Sequence, residues 1–209
     1  MIIVLATHNK DKLTELLPLL EPLGITIKIL DDFPQIGEIP ETGSTLAENA
    51  LIKARTVHHR TGLPALADDT GLEVNCLGGK PGVKTGRYAG ENASYDDNVE
   101  KLLTKLKTVP NTERSARFLT AIAYVDGARE LLEKGVVEGR IINERKGVGG
   151  FGYDPVFYIP QLGKTFAEMT TTEKSKISHR GKAFRKMKIL LEQLIADPIE
   201  NPLQNSDRS

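Results

Sequence analysis

The chain is short of the residues that brace small secreted domains and of those that mark nucleic-acid surfaces. Cys76 is its only cysteine, and tryptophan is absent. One thiol excludes an intrachain disulfide and any zinc site built on several cysteines. It also makes a reducing cytoplasm the expected compartment. Aromatic residues are 5% of the chain, too few for a run of base-stacking platforms, and 28 basic residues balance 28 acidic ones. A nucleic-acid or membrane-surface binder usually carries a basic surplus, so neither class is expected, whereas a small anionic ligand needs only a local cluster. Long apolar runs are also missing. None approaches a membrane span. The opening "MIIVLATHNKDK" has no basic residues ahead of its apolar run and no small-residue cleavage site after it, so no signal peptide is expected.

What is present fits a globular domain. With 209 residues, 39% of them hydrophobic, the chain can bury a sizeable core as one α/β domain, or as one domain with a small second lobe. Ile2 to Ala6 is a continuous apolar run and predicts a buried strand. Asn9 can cap the helix that follows, whose Leu13, Leu16, Leu17 and Leu20 recur at helical spacing; Pro18 is expected to kink it and Gly24 to stop it. Ile25, Ile27 and Ile29 alternate as in a half-exposed strand. Thr45 and Glu48 form a capping box for a helix with Leu46, Ala50, Ala54 and Val57 on one face. "LPALADDTGLEV" predicts strand, turn, strand, and Ser94 with Asp97 opens another helix. Ala116 to Val125, Glu130 to Glu133 and Val136 to Asn143 predict consecutive strands, with Asp126-Gly127 as a hairpin turn. A strand at Val156 to Ile159 and a helix over Lys182 to Ala196 complete the pattern. Helices at both ends, early βα units and a central strand run predict α/β with a mixed sheet. Residues 1–196 form the expected domain, and the polar tail 197–209 is expected to be disordered.

Several groups carry chemistry. Asp68 and Asp69 are adjacent like charges, which cost free energy unless something offsets them. They suit either the start of a turn or a Mg²⁺ site, since hard cations prefer carboxylate oxygens. In strand geometry consecutive side chains point to opposite faces, so only one of the pair would face a given cleft. Glu41 is a second acid at a loop-to-helix junction. "ATHNKDK" follows a strand and opens a helix, where backbone N–H groups, Lys10 and Lys12 attract anions. Lys53 sits on a helix face among alanines, as a surface lysine or one aimed into a cleft. Gly147, Gly149 and Gly152 match G-x-G-x-x-G, but the loop runs into "YDPVFYIP" rather than a helix, which excludes a dinucleotide fingerprint. Its glycines suit close backbone approach to a ligand, with Phe151 a stacking face, or else a tight hairpin. Lys174, Ser178, His179 and Arg180 cluster at the start of the last helix. A basic residue there is disfavoured by the helix dipole, which suggests an anion or a purine edge as its partner.

Taken in order, "ATHNKDKLTEL", "ETGSTLAENALIKA", "ADDTGLEV", "GGKPGVKTGRYAG", "GGFGYDPVF" and "EKSKISHRGKAF" resemble the inosine triphosphate pyrophosphatase family over nearly the whole chain. The resemblance implies Mg²⁺-dependent hydrolysis of ITP, dITP and XTP to monophosphate and pyrophosphate. It implies an elongated two-lobed domain, a central mixed twisted sheet flanked by helices with a cleft between the lobes, and a cytoplasmic homodimer. Residue by residue, Thr7, His8, Asn9, Lys10, Asp11 and Lys12 match the family's N-terminal substrate loop. Glu41 and Asp69 match the Mg²⁺-associated acids, Asp69 also the proton acceptor, and Thr70 a substrate contact beside it. Lys53 matches a lysine of the phosphate end. Phe151, Gly152, Tyr153 and Asp154 match the nucleotide pocket, as do Lys174, His179 and Arg180. His8 stands where many relatives have glycine. Lys84, Thr85 and Gly86 stand before Arg87 where serine and alanine are common.

Overall fold

The computed structural model describes residues 1–196; the tail expected to be disordered lies outside the described residues. β1 (Ile2–Leu5) is the apolar run, buried from Ile3 onward. Asn9 ends the following turn in an extended conformation, and its side chain accepts from the Asp11 and Lys12 amides, which starts α1 (Lys10–Leu20). The helix runs unbroken through Pro18, tightens into a 3-10 turn over Glu21–Leu23, and stops at Gly24 with φ +62°. β2 (Thr26–Ile29) pairs parallel with β1. Thr45 and Glu48 make the expected reciprocal box at the start of α2 (Leu46–Thr61).

Next come β3 (Ala65–Val74), β4 (Lys80–Gly82) and α3 (Tyr95–Leu106), then the long hairpin β5 (Ser115–Val125) and β6 (Glu130–Ile141). β7 (Phe157–Ile159), β8 (Lys164–Thr165), α4 (Thr171–Ile177) and α5 (His179–Ala196) follow. One mixed sheet has the order β2-β1-β3-β5-β6-β7-β8, with β4 on the side of β3. β1 is parallel to β2 and β3, and the other pairings are antiparallel.

Two strand expectations are corrected. The stretch around Asp68-Asp69 does not turn. β3 is one ten-residue strand, paired with β5 from Ala65↔Val125 to Val74↔Ala116. Its central charges meet cations on either face, so the backbone need not leave the sheet to solvate them. Likewise β6 is one twelve-residue strand rather than two. Gly135, which looks like a break in the sequence, lies beneath α5: a Cβ there would come within 2.0 Å of the His179 carbonyl oxygen and 2.6 Å of the Ala183 nitrogen. That glycine marks close helix-on-sheet approach. β4, β8 and α4 have no counterpart among the expected elements, and α5 begins at His179, three residues before the expected start.

The core has three clusters. Leu66, Ile122 and Tyr124 face α1 and α5 on one side of the sheet, with Leu16 and Phe184. Ala67, Ala121 and Ala123 face α2 on the other, with Ala54 and Val57. The third cluster gathers Leu72, Val74 and Phe118 with α3 residues Leu102 and Leu106 and with Phe157 and Phe166. Each fully buried Leu or Phe contributes about 1.5–3 kcal/mol. β3 and β5 run through all three, and Asp68-Asp69-Thr70 lies where they meet.

Candidate active site

Strand alternation separates the two aspartates. Asp69 points to the α2 side, where Asn49 and Lys53 lie one helical turn apart on a single buried face. Asn49 Nδ2 donates to Asp69 Oδ2 at 3.1 Å, and Lys53 Nζ donates to Asp69 Oδ1 at 3.3 Å. Lys53 also donates to Glu41 Oε1 at 2.6 Å, so one ammonium joins the loop acid to the strand acid. Asn49 Oδ1 accepts from the Gly43 amide at 2.8 Å and fixes that same loop. Burial pushes the Asp69 carboxyl up and Glu41 adds to it; together they outweigh Lys53, and the group ends above its ordinary value. Burial also raises Glu41, but Lys53 and the other cations more than reverse it.

Asp68 faces the other side. Lys12 Nζ lies 3.1 Å from its Oδ1, and Arg180 Nε donates to its Oδ2 at 3.2 Å. Burial would raise this carboxyl, yet Lys12, Arg180 and Lys53 together hold it far below the usual carboxylate range. Thr70 Oγ1 accepts from Arg180 Nη2 at 3.1 Å and lies 2.6 Å from Thr120 Oγ1.

A second group forms at the starts of α4 and α5. Lys174 Nζ donates to Asp154 Oδ2 at 2.5 Å and to Glu15 Oε1 at 2.6 Å, and Arg180 Nη1 donates to Glu15 Oε2. The Phe151 amide donates to Asp154 Oδ2 at 2.9 Å, which closes the 151–154 turn. Lys174 Nζ lies 4.9 Å from the Phe151 ring centre. His179 stacks on Phe118 with ring centres 4.7 Å apart at 13°, and its buried Nδ1 has no partner among the described residues. Burial, with Arg180 and Lys174 nearby, lowers His179 well below its ordinary value, so it is neutral at pH 7. Burial raises Asp154 against the pull of Lys174.

Both groups open into one cleft of about 850 Å³. Thr7, His8, Asn9 and Lys12 line it from the first loop; Glu41, Lys53, Asp69 and Thr70 line the acidic end. Phe151, Gly152, Tyr153 and Asp154 line the far end, together with Lys174, His179 and Arg180. Of the expected residues, Lys10 and Asp11 do not line it: they sit in the exposed first turn of α1, where Asp11 Oδ2 accepts from the Tyr95 hydroxyl. In the glycine-rich loop, two positions take the tight-turn alternative rather than the ligand one. A Cβ on Gly147 would lie 2.3 Å from the Ala167 carbonyl carbon, and one on Gly150 would lie 2.0 Å from Asp154 Oδ2. Those two glycines admit protein rather than ligand.

Tyr95 and Phe118 line the cleft, and Glu15 and Asn49 bond to charged groups that line it; the sequence-based expectation names none of these. Glu15 carries only a weak signal, an acid in α1 beside the Leu13, Leu16 and Leu20 stripe rather than on it. Asn49 carries another, one turn before Lys53. Tyr95 and Phe118 have none, because only long-range packing brings them to the cleft. Among the described residues no three His, Cys, Asp or Glu side chains gather to hold a metal ion. The pair Glu41 and Asp69 fits Mg²⁺, an ion commonly held by one or two carboxylates with substrate phosphates completing its shell.

The family model described as the Ham1 family matches residues 3–190. The chain belongs to the Ham1 family. Its similarity to family members is near full length. It is 45% identical over 194 residues to a dITP/XTP pyrophosphatase of Geobacillus kaustophilus, covering 92% of this chain and 95% of that one. It is 47% identical over 188 residues to a dITP/XTP pyrophosphatase of a Thermoanaerobacter species, covering 90% and 95%. The solved HAM1 protein from Coxiella burnetii superposes with a TM-score of 0.85 at 43% identity, covering 92% of this chain and 99% of that one. The mixed sheet with flanking helices is therefore the Ham1 architecture.

Proposed function

We propose that this chain is a nucleoside triphosphate pyrophosphatase that hydrolyses ITP, dITP and XTP to the monophosphate and pyrophosphate with Mg²⁺, clearing noncanonical purines from the nucleotide pool. One observation carries the reading: a single cleft has paired acids and lysines at one end, and an aromatic face with buried polar groups at the other. The dITP/XTP pyrophosphatases it resembles support the same substrate class.

Glu41 and Asp69 would hold the divalent ion, which when bound supplies charge neutralisation for the phosphates. The chain's own groups do the rest. Asn49 and Lys53 fix both Asp69 oxygens. Asp69 thereby orients a water toward the α-phosphorus and accepts its proton. Lys12 and Lys53 hold phosphate oxygens as pyrophosphate departs, and no covalent intermediate is needed. At the far end, inosine and xanthine present a 6-oxo acceptor and adenine a 6-amino donor. N–H donors in the pocket would face a donor when ATP enters, which discriminates by orders of magnitude. Arg180 commits Nε, Nη1 and Nη2 to Asp68, Glu15 and Thr70. That makes it the anchor of the pocket; with the Phe151 and Asp154 amides also committed within their turn, the Gly152 and Tyr153 amides and the neutral His179 ring are left as candidate donors to a base.

A triphosphate panel with Mg²⁺, scored for monophosphate and pyrophosphate and repeated with EDTA, tests the reading. Release of pyrophosphate from ITP, dITP and XTP, abolished by EDTA, is the expected result; equal kcat/KM for ATP and ITP contradicts the base assignment. We also infer a homodimer on the strength of the resemblance, checked by light scattering at twice the chain mass. A cytoplasmic location is inferred from the resemblance and from the exposed free thiol of Cys76.

A further inference from the structure

Tyr95 belongs to neither the acidic group nor the base-end group, yet it touches both the start of α1 and the base end of the cleft. It is the first residue of α3, placed there by the Ser94–Asp97 capping box. Its hydroxyl donates to Asp11 Oδ2 at 3.0 Å and accepts from Asn9 Nδ2 at 3.1 Å. Asn9 is the cap of α1, and its Oδ1 accepts from the Lys12 amide at 3.2 Å. The Tyr95 ring lies 5.7 Å from Phe151, tilted by 40°. The phenol therefore spans the cleft mouth from α3 to the turn that presents Lys12, while its ring leans on the aromatic face at the opposite end. Burial keeps the phenol above its ordinary value, so it remains a donor at neutral pH. The same first turn of α3 is pinned from behind, where Arg145 Nη1 donates to Asp96 Oδ1 at 2.5 Å.

We propose that Tyr95 is a positioning residue that joins the start of α1, which carries Lys12, to the base end of the cleft, so that a nucleoside triphosphate is gripped by its base and its phosphates together. The hydroxyl bridge holds the cap of α1, and with it Lys12, in register with Phe151. The proposal rests on the functional reading for its ligand, but the bridge exists without one.

Tyr95→Phe removes the bridge and keeps the ring. In the ligand-free full-length chain, hydrogen exchange at the amides of residues 9–12 should speed up; unchanged exchange overturns the bridge irrespective of what the protein hydrolyses. With ITP as substrate and IMP as a binding probe, loss of one hydrogen-bonded bridge should raise KM and the IMP dissociation constant about fivefold, with kcat kept within about twofold. A fall in kcat at unchanged KM overturns the positioning role. Asp11→Ala added to Tyr95→Phe should cost no more than Tyr95→Phe alone, because the phenylalanine already deletes the hydroxyl's bond to Asp11 along with that from Asn9; full additivity overturns the assignment. A wild-type chain that neither hydrolyses ITP nor binds IMP refutes the functional reading, and leaves the exchange experiment to decide the bridge.

Discussion

Asp68 and Asp69 are neighbours in sequence on opposite faces of one strand, and the two faces treat a carboxylate differently. On the α1–α5 face, Asp68 is 2% exposed, paired with Lys12 and Arg180, and held far below its ordinary pKa. On the α2 face, Asp69 is 6% exposed, opens to the cleft, and is raised by burial. Adjacent like charges would repel if both faced one space. Alternation gives each its own cation and its own part to play. Asp68 fixes the cations that frame the cleft, and Asp69 meets what enters. A buried pair of this kind secures arrangement more than stability.

Changing one aspartate at a time separates the two roles. Asp69→Asn should lower kcat for ITP by about 10³-fold or more, since it removes the proton acceptor and one carboxylate of the Mg²⁺ pair, while nucleotide is still held by the lysines and the base end; near-wild-type turnover refutes its role. Asp68→Ala should lower stability by about 3–5 kcal/mol in chemical denaturation, because it strands Lys12 and Arg180 without their shared partner. An unchanged midpoint would mean that Asp68 frames nothing. Gly135→Ala probes the seat of α5, which carries Arg180 to Asp68. Its methyl group has to displace helix backbone, so a loss of about 1–3 kcal/mol, or more, is expected in thermal unfolding.

The smallest effect is one of slope. Burial raises the Glu15 carboxyl, but Arg180 and Lys174 bring it below its ordinary value of 4.5. The unfolded chain therefore binds this proton more readily than the folded one. Glu15 contributes stability above about pH 4.5, and the contribution is lost as pH falls through the lower folded value. The stability gap between wild type and Glu15→Gln should narrow on acidification, as followed by urea unfolding at several pH values. A constant gap removes the linkage.

Local signals are legible in the sequence. The Asn9 cap, the Thr45–Glu48 and Ser94–Asp97 boxes and the Asp126-Gly127 turn depend on residues a few places apart. The helix α4 escapes because "TTEKSKI" has no apolar stripe. Its own box, Thr170 with Glu173, is as clear as the others, but the helix is held by the buried ammonium of Lys174 rather than by hydrophobic burial. Gly135 misleads for a similar reason: a glycine needed for helix approach cannot be told from a turn glycine without knowing what lies above it. At the site, the cleft-facing acids and cations are legible as residue types in order. The face of each aspartate, and the reach of Glu15 from α1 to α5, depend on which strand face each helix covers, and a single sequence does not encode that locally.

Asn49 uses one side-chain amide as a spacer of fixed length. Its oxygen is committed to the main chain at Gly43, and its nitrogen to Asp69. Gly43 has no room for a side chain, since a Cβ there would lie 2.6 Å from that same oxygen. Glu41, two residues upstream, is thus surveyed against Asp69 by a rigid gauge. Any displacement of the loop must be transmitted to the strand, and the two carboxylates reach an incoming ligand as a preset caliper.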